Sequence, residues 1–162
     1  MIQDEIGDMP FLLKGIMTAE DAELAVDHGV QGIYISNHGG RQLDHVLGNI
    51  QMLPEIIKTV KGKAKVFIDG GFTRGTDIVK ALALGANAVG IGRLQAWALG
   101  AGGAEGLVRC LELLEKEITT TMGLLGATTL QQLGPELITE AMPVTLPHEH
   151  SAFPHLPGGR LL

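Results

Sequence analysis

Nine consecutive residues, Ser36-Asn37-His38-Gly39-Gly40-Arg41-Gln42-Leu43-Asp44, place an imidazole base and a permanent cation on either side of two glycines. Histidine is the side chain best suited to general acid–base work near neutral pH, and here it stands beside a fixed positive charge. The segment directly follows Ile33-Tyr34-Ile35, a β-branched and aromatic run that reads as a buried strand. A polar, glycine-containing stretch in that position is the loop leaving the strand's carboxyl end, where α/β folds bind their ligands.

Three other apolar runs end in polar residues of the same kind. Lys14 follows Phe11-Leu12-Leu13, Asp69-Gly70-Gly71 follows Val66-Phe67-Ile68, and Gly92-Arg93 follows Ala88-Val89-Gly90-Ile91. In a closed (β/α) barrel all four clusters converge on one rim. Gly70 and Gly71 permit close backbone approach, the helix that follows offers free N–H groups, and Arg93 can grip phosphate oxygens through two parallel bonds. A phosphorylated ligand is the expectation. Taken singly, each residue has a plainer reading: glycines after a strand are ordinary turn residues, Lys14 a surface charge, Arg41 a salt-bridge partner, His38 a solvated loop histidine. Their weight comes from the set.

The elements that position them repeat. Thr18-Ala19-Glu20-Asp21 is an N-cap pattern, followed by Ala22, Ala25 and Val26 on one face and Gly29 at the helix end. Thr76-Asp77 opens a second segment with Ile78, Ala81 and Leu82 at helical spacing, closed by Gly85. One shift lays Asp21 on Asp77, Ala25 on Ala81, Gly29 on Gly85 and Ile35 on Ile91, so two βα units are repeated. Short βα connections imply a parallel sheet, with strands buried on both faces. Residues 36–49 form an enlarged loop after the second strand. Residues 103–126 read as a long helix whose apolar stripe is Leu107, Cys110, Leu111, Leu114 and Ile118. Cys110, Trp97 and Met122 are expected to pack, and His28 to close a helix.

Composition narrows the class. The chain has 162 residues, 45% of them apolar, enough for one sizeable core. A net charge of −6, with four Phe, one Trp and one Tyr, supplies neither the basic footprint nor the stacking surface of a nucleic-acid binder. The amino terminus lacks a basic n-region and an apolar h-region, and no run of about 18 apolar residues occurs. A cytoplasmic protein is expected, with peripheral membrane association left open. Residues 1–142 form the expected domain. Residues 143–162, rich in Pro and Gly, form an expected loose tail whose His148, Glu149, His150 and His155 lack the rigid geometry of a metal site. No metal is expected.

The residues Leu13-Lys14-Gly15-Ile16, Ser36 to Asp44, Asp69-Gly70-Gly71, Arg74-Gly75-Thr76-Asp77, Ala81 to Ala86 and Gly92-Arg93 together resemble the FMN-dependent 2-hydroxy-acid oxidases and dehydrogenases. The likeness runs over roughly residues 10–140. It implies the carboxyl-terminal half, four βα units, of a TIM (β/α)8 barrel. It also implies oxidation of a small L-2-hydroxy acid to the 2-oxo acid with FMN as cofactor. His38 would be the base and Arg41 the clamp on the substrate carboxylate. Lys14 and Ser36 would meet the flavin, Asp69 the ribityl hydroxyls, and Gly71, Gly92 and Arg93 the phosphate, with Gly70 beside them.

Two departures stand out. The family usually has arginine two residues after the second glycine of Asp-Gly-Gly; here Thr73 occupies that place and Arg74 follows, so the pair marks a lost or shifted phosphate contact. After Asp44 the family runs toward an Ala-Thr pair, where this chain has His45-Val46-Leu47-Gly48-Asn49. The first four strands of the family's barrel have no counterpart. The expected partners are therefore a missing amino-terminal half-barrel or further copies of the chain, a 2-hydroxy acid, and an electron acceptor, oxygen or another. The alternative is a non-catalytic half-barrel that binds a phosphate-bearing ligand or assembles with another half.

Overall fold

Four parallel strands, β1 (Leu12–Ile16), β2 (Gly32–Ile35), β3 (Lys65–Ile68) and β4 (Ala88–Val89), lie side by side in chain order. Helices α1 (Ala19–Asp27), α2 (Asn49–Val60) and α3 (Gly75–Ala83) make the connections, and α4 (Arg93–Leu125) follows the last strand. This is a computed structural model, and it describes residue 5 and residues 7–141. The expected tail and its histidines lie outside the described residues.

The expected helix signals act locally. Thr18 Oγ1 accepts the N–H of Asp21 at 3.1 Å, and Glu20 and Asp21 sit in the first turn of α1, where the helix dipole favours acidic groups. At the start of α3, Asp77 Oδ2 accepts the N–H groups of Thr73 and Arg74 at 3.2 and 3.0 Å. Leu53, Ile56 and Val60 line one face of α2 and are fully buried against Ile33, Ile35, Val66 and Ile68 of the sheet. Each such side chain contributes about 1.5–3 kcal/mol by leaving water.

Among the described residues the strand side chains that are fully buried lie on the helix side of the sheet. Alternation along the strands sends Ile33, Ile35, Val66 and Ile68 to the helices and Lys14, Tyr34, Phe67 and Asp69 to the opposite face. Leu12, on that face, is 40% exposed. The expectation of burial on both faces therefore fails. Apolar triplets show that a strand is packed, not on how many sides; four strands make an arc, and a barrel lumen is enclosed only by eight.

The expected long helix is present but begins earlier. Two helical stretches meet at Gly102 (φ −154°) and Gly103 (φ 60°), which break the helical path inside α4. Of its predicted stripe only Leu114 is buried; Leu111 is 49% exposed and Cys110 half-buried. The contact is made by a second cluster in which Val79 and Ala83 of α3 meet Ile118 and Met122 of α4, closed by Ala127 and Leu133 after it. Trp97, expected to pack, is 62% exposed. Among the described residues no helix is long and apolar enough to cross a membrane.

An ion pair joins the two helices beside that cluster. Glu117 Oε1 lies 2.7 Å from Arg74 Nη2, and Glu117 Oε2 accepts the Gly75 N–H at 2.6 Å. The Arg74 hydrogen bond, then the Gly75 N–H, hold the Glu117 carboxyl below its ordinary value of 4.5. A carboxylate lowered in the folded state stabilises it above the ordinary value and loses that contribution as pH falls through the lowered one. Thermal melts taken downward from pH 4.5 should thus show a Tm decline in the wild type that is shallower in Glu117→Gln. Parallel declines in the two proteins would disprove the coupling.

Candidate active site

The carboxyl ends of β1, β2 and β3 meet at one ammonium group. Lys14 Nζ donates to Ser36 Oγ at 2.7 Å, lies 2.9 Å from Asp69 Oδ2, and stands 4.9 Å above the centre of the Tyr34 ring. The Lys14 and Asp69 side chains are 39% and 20% exposed, so water moderates the pair. Burial first, and the Asp69 charge second, push the Tyr34 hydroxyl above its usual value. Tyr34 stays neutral.

Ser36 is buried and accepts twice, from Lys14 and from the His38 backbone N–H at 3.2 Å. The loop then turns through a short 3-10 segment, His38–Gly40, where Asn37 Oδ1 accepts the Gly39 N–H at 3.0 Å. His38 itself adopts φ +55°, a left-handed conformation that few side chains tolerate. Its ring lies over Gly15, where a Cβ would fall 2.9 Å from His38 Cε1; Gly15 also has φ +102° and sits where β1 slips register against β2. Glycine there serves both the bulge and the imidazole.

The far side of the site is built by the start of α4. Arg93 Nη2 donates to the Gly39 carbonyl at 2.9 Å, tying the fourth strand end to the loop of the second. Among the described residues no atom beyond the adjacent residues in the chain lies within 4 Å of where a Cβ would project from Gly71 or Gly92, so their backbones stand open. Gly70 differs. At φ +88° its missing Cβ leaves room for the Asn49 amide, which presses against the glycine.

A cleft of about 500 Å³ brings together Lys14, His38, Arg41, Asp69, Gly70, Gly71, Thr73, Gly92 and Arg93. Ser36 lies beneath it, fully buried. Arg74 does not line the cleft; its Nε and Nη2 are engaged by Glu117 at 2.8 and 2.7 Å. Among the described residues no group of three or more His, Cys, Asp and Glu side chains is arranged to hold a metal.

Three participants had no site role in the sequence reading. Trp97 lines the cleft beside Arg93, one turn into α4. Tyr34, read only as a strand residue, supplies the ring under Lys14; its place between two isoleucines was the available signal, since alternation turns it away from the helices. Asn49, noted only as a departure, is 3% exposed and bonds both the His38 loop and Asp69. No spacing rule marks such a residue.

Comparison with known proteins identifies the family. The model of one family, FMN-dependent dehydrogenase, matches residues 2–140. The chain belongs to that family. It is 48% identical over 128 residues to the L-lactate oxidase of a Nostoc species, covering 79% of this chain and 35% of the relative. Human 2-hydroxyacid oxidase 2 is 48% identical over 130 residues, covering 80% and 37%. Spinach (Spinacia oleracea) glycolate oxidase is 48% identical over 128 residues, covering 79% and 35%. Crystallised mandelate oxidase with (S)-2-phenylpropionate superposes with a TM-score of 0.76 at 46% identity, covering 81% of this chain and 41% of that one. Family membership identifies the fold as the carboxyl-terminal half of a TIM (β/α)8 barrel and FMN as the family's cofactor. The chain spans little more than a third of the length of these relatives. The relatives are oxidases, which disfavours a purely binding half-barrel.

Proposed function

We propose that this chain supplies the base, the carboxylate clamp and the phosphate rim of an enzyme that oxidises a small L-2-hydroxy acid to the 2-oxo acid with FMN. The observation that carries the reading is the meeting of His38, Arg41, Lys14 and Arg93 in one cleft. The residues present fit the cofactor. The open backbones of Gly71 and Gly92, the unpaired first N–H groups of α4 and the Arg93 guanidinium make a site for a phosphate. The Lys14 ammonium, held by Asp69, would supply positive charge to a bound flavin.

When bound, FMN supplies a two-electron acceptor. Arg41 holds the substrate carboxylate through two parallel N–H bonds and fixes the α-carbon in the cleft. His38 takes a proton from the substrate. Lys14, held between Ser36 and Asp69, is fixed in place before any ligand arrives and would present its charge to a bound flavin without reorganising. Asp69 would hold the cofactor's ribityl hydroxyls with the lone pairs that Lys14 and Asn49 leave free. Thr73, where the resemblance led one to expect arginine, lines the cleft and offers a hydroxyl, while Arg74 secures α3 to α4.

The test is optical. The full chain, combined with the other half of its barrel, should take up FMN, turn yellow and bleach without oxygen on addition of glycolate, lactate or mandelate. A colourless complex that excludes FMN would sink the reading. So would a yellow one that none of the three acids reduces.

A further inference from the structure

The polar contacts under the cleft form a closed ring. The Asn37 N–H donates to Asn49 Oδ1 at 3.1 Å, and Asn49 Nδ2 donates to the Asp69 carbonyl at 2.7 Å and to Asp69 Oδ1 at 3.3 Å. Asp69 Oδ2 meets Lys14 Nζ, Lys14 meets Ser36 Oγ, and Ser36 Oγ accepts the N–H of His38, the neighbour of Asn37. The ring joins β1, the loop after β2, the first turn of α2 and the end of β3.

We propose that Asn49 is a positioning residue, which locks the Asp69 carboxylate and through it sets where the Lys14 charge sits relative to His38. The inference rests on the flavin reading of the site. Three observations carry it. Asn49 is 3% exposed at the amino end of α2, so its amide hydrogen bonds are made in a water-poor place and are costly to lose. Its orientation is determined, because turning the amide over would set an NH2 against the Asn37 N–H and an oxygen against the Asp69 carbonyl. Gly70, at φ +88°, has no Cβ, and the Asn49 amide occupies that space, so the backbone of the Asp-Gly-Gly turn is shaped to receive it. The two Asp69 oxygens are thus held from opposite sides, Oδ1 by Asn49 and Oδ2 by Lys14. Neither can move alone.

Asparagine suits the place because it carries a donor and an acceptor on one planar group. Aspartate keeps the acceptor for the Asn37 N–H but turns a second carboxylate toward Asp69. Alanine removes both functions. The pair of variants separates positioning of Asp69 from simple anchoring of the loop.

The experiment is done with the full chain and the other half of its barrel, wild type first. In flavin-free crystals of Asn49→Asp, the Lys14 Nζ to Asp69 Oδ2 distance should lengthen from 2.9 Å beyond hydrogen-bond reach. With FMN, Asn49→Asp should bind at least about 10-fold more weakly than wild type and lower the flavin midpoint potential, at least as strongly as Asn49→Ala; such a loss matches the roughly 1–3 kcal/mol of an unsatisfied buried partner. If Asn49→Asp does not fold, Asn49→Ser, uncharged but too short to span both partners, should give the same lengthening and the same sign of potential shift. An unchanged Lys14–Asp69 distance, or an aspartate variant that matches wild type in affinity and potential while alanine alone lowers Tm, would overturn the proposal and leave Asn49 as a loop anchor. A wild type that takes up no FMN sinks the flavin reading instead, and the flavin-free distance still decides the role of Asn49.

Discussion

Replacing His38 with asparagine should leave FMN bound and slow flavin reduction by a 2-hydroxy acid by about 10²–10⁴-fold, the usual worth of a positioned general base. That span corresponds to roughly 3–5 kcal/mol of barrier. Asparagine is the informative substitution because His38 has φ +55°, a conformation that asparagine tolerates far better than alanine does. The turn, the Asn37 cap on Gly39 and the bond from His38 N–H to Ser36 are then preserved, and only the base is lost. Stopped-flow bleaching under anaerobic conditions measures the rate, and FMN fluorescence on release measures retention. A variant within a few-fold of wild type would remove His38 from the chemistry.

The second large effect concerns stability. Gly75→Ala places a methyl at the first position of α3, a change that normally gains about 0.5–1 kcal/mol in a helix. Here the sign reverses. The added Cβ would lie 2.6 Å from the Ile118 nitrogen and 2.8 Å from the Leu114 carbonyl oxygen, both backbone atoms of α4 that cannot swing aside. Helices α3 and α4 must separate, at a cost of about 1–3 kcal/mol for overpacking, and the 2.6 Å bond from Gly75 N–H to Glu117 is strained with them. Gly100→Ala is the matched control. Gly100 lies on α4 with open space around its missing Cβ, so alanine there should stabilise by about 0.5–1 kcal/mol. Urea titrations should move the two midpoints in opposite directions. Equal shifts would show that α4 yields at the contact.

Much of the scaffold was legible because it rests on local chemistry. The Thr18 cap, the glycines that close α1 and α3 and the repeated βα spacing depend on neighbours in the chain, and each appears where the pattern puts it. The rim residues were legible for a related reason: a strand's end dictates where the next side chains point, so Lys14, His38, Asp69 and Arg93 converge once four strands are parallel. What escaped depends on partners distant in sequence. Arg74, adjacent to the phosphate-type glycines, turns to Glu117 because α4 returns alongside α3, a meeting no local pattern announces. Asn49 escaped because burial and bonding to residues on two other elements give it its role. Trp97 was expected to pack, yet it is exposed and lines the cleft.

The uncovered face of the sheet bears on the Lys14–Asp69 pair. In the arc, both side chains retain contact with water, and dissolved ions attenuate their attraction over a Debye length of about 8 Å at physiological ionic strength. Covering that face with other strands would exclude the counter-ions and lower the local dielectric, so the same 2.9 Å contact would act on bound charge with greater force. Ionic strength therefore becomes a gauge of enclosure: salt that weakens this pair in the open arc should leave it nearly untouched once the lumen is sealed.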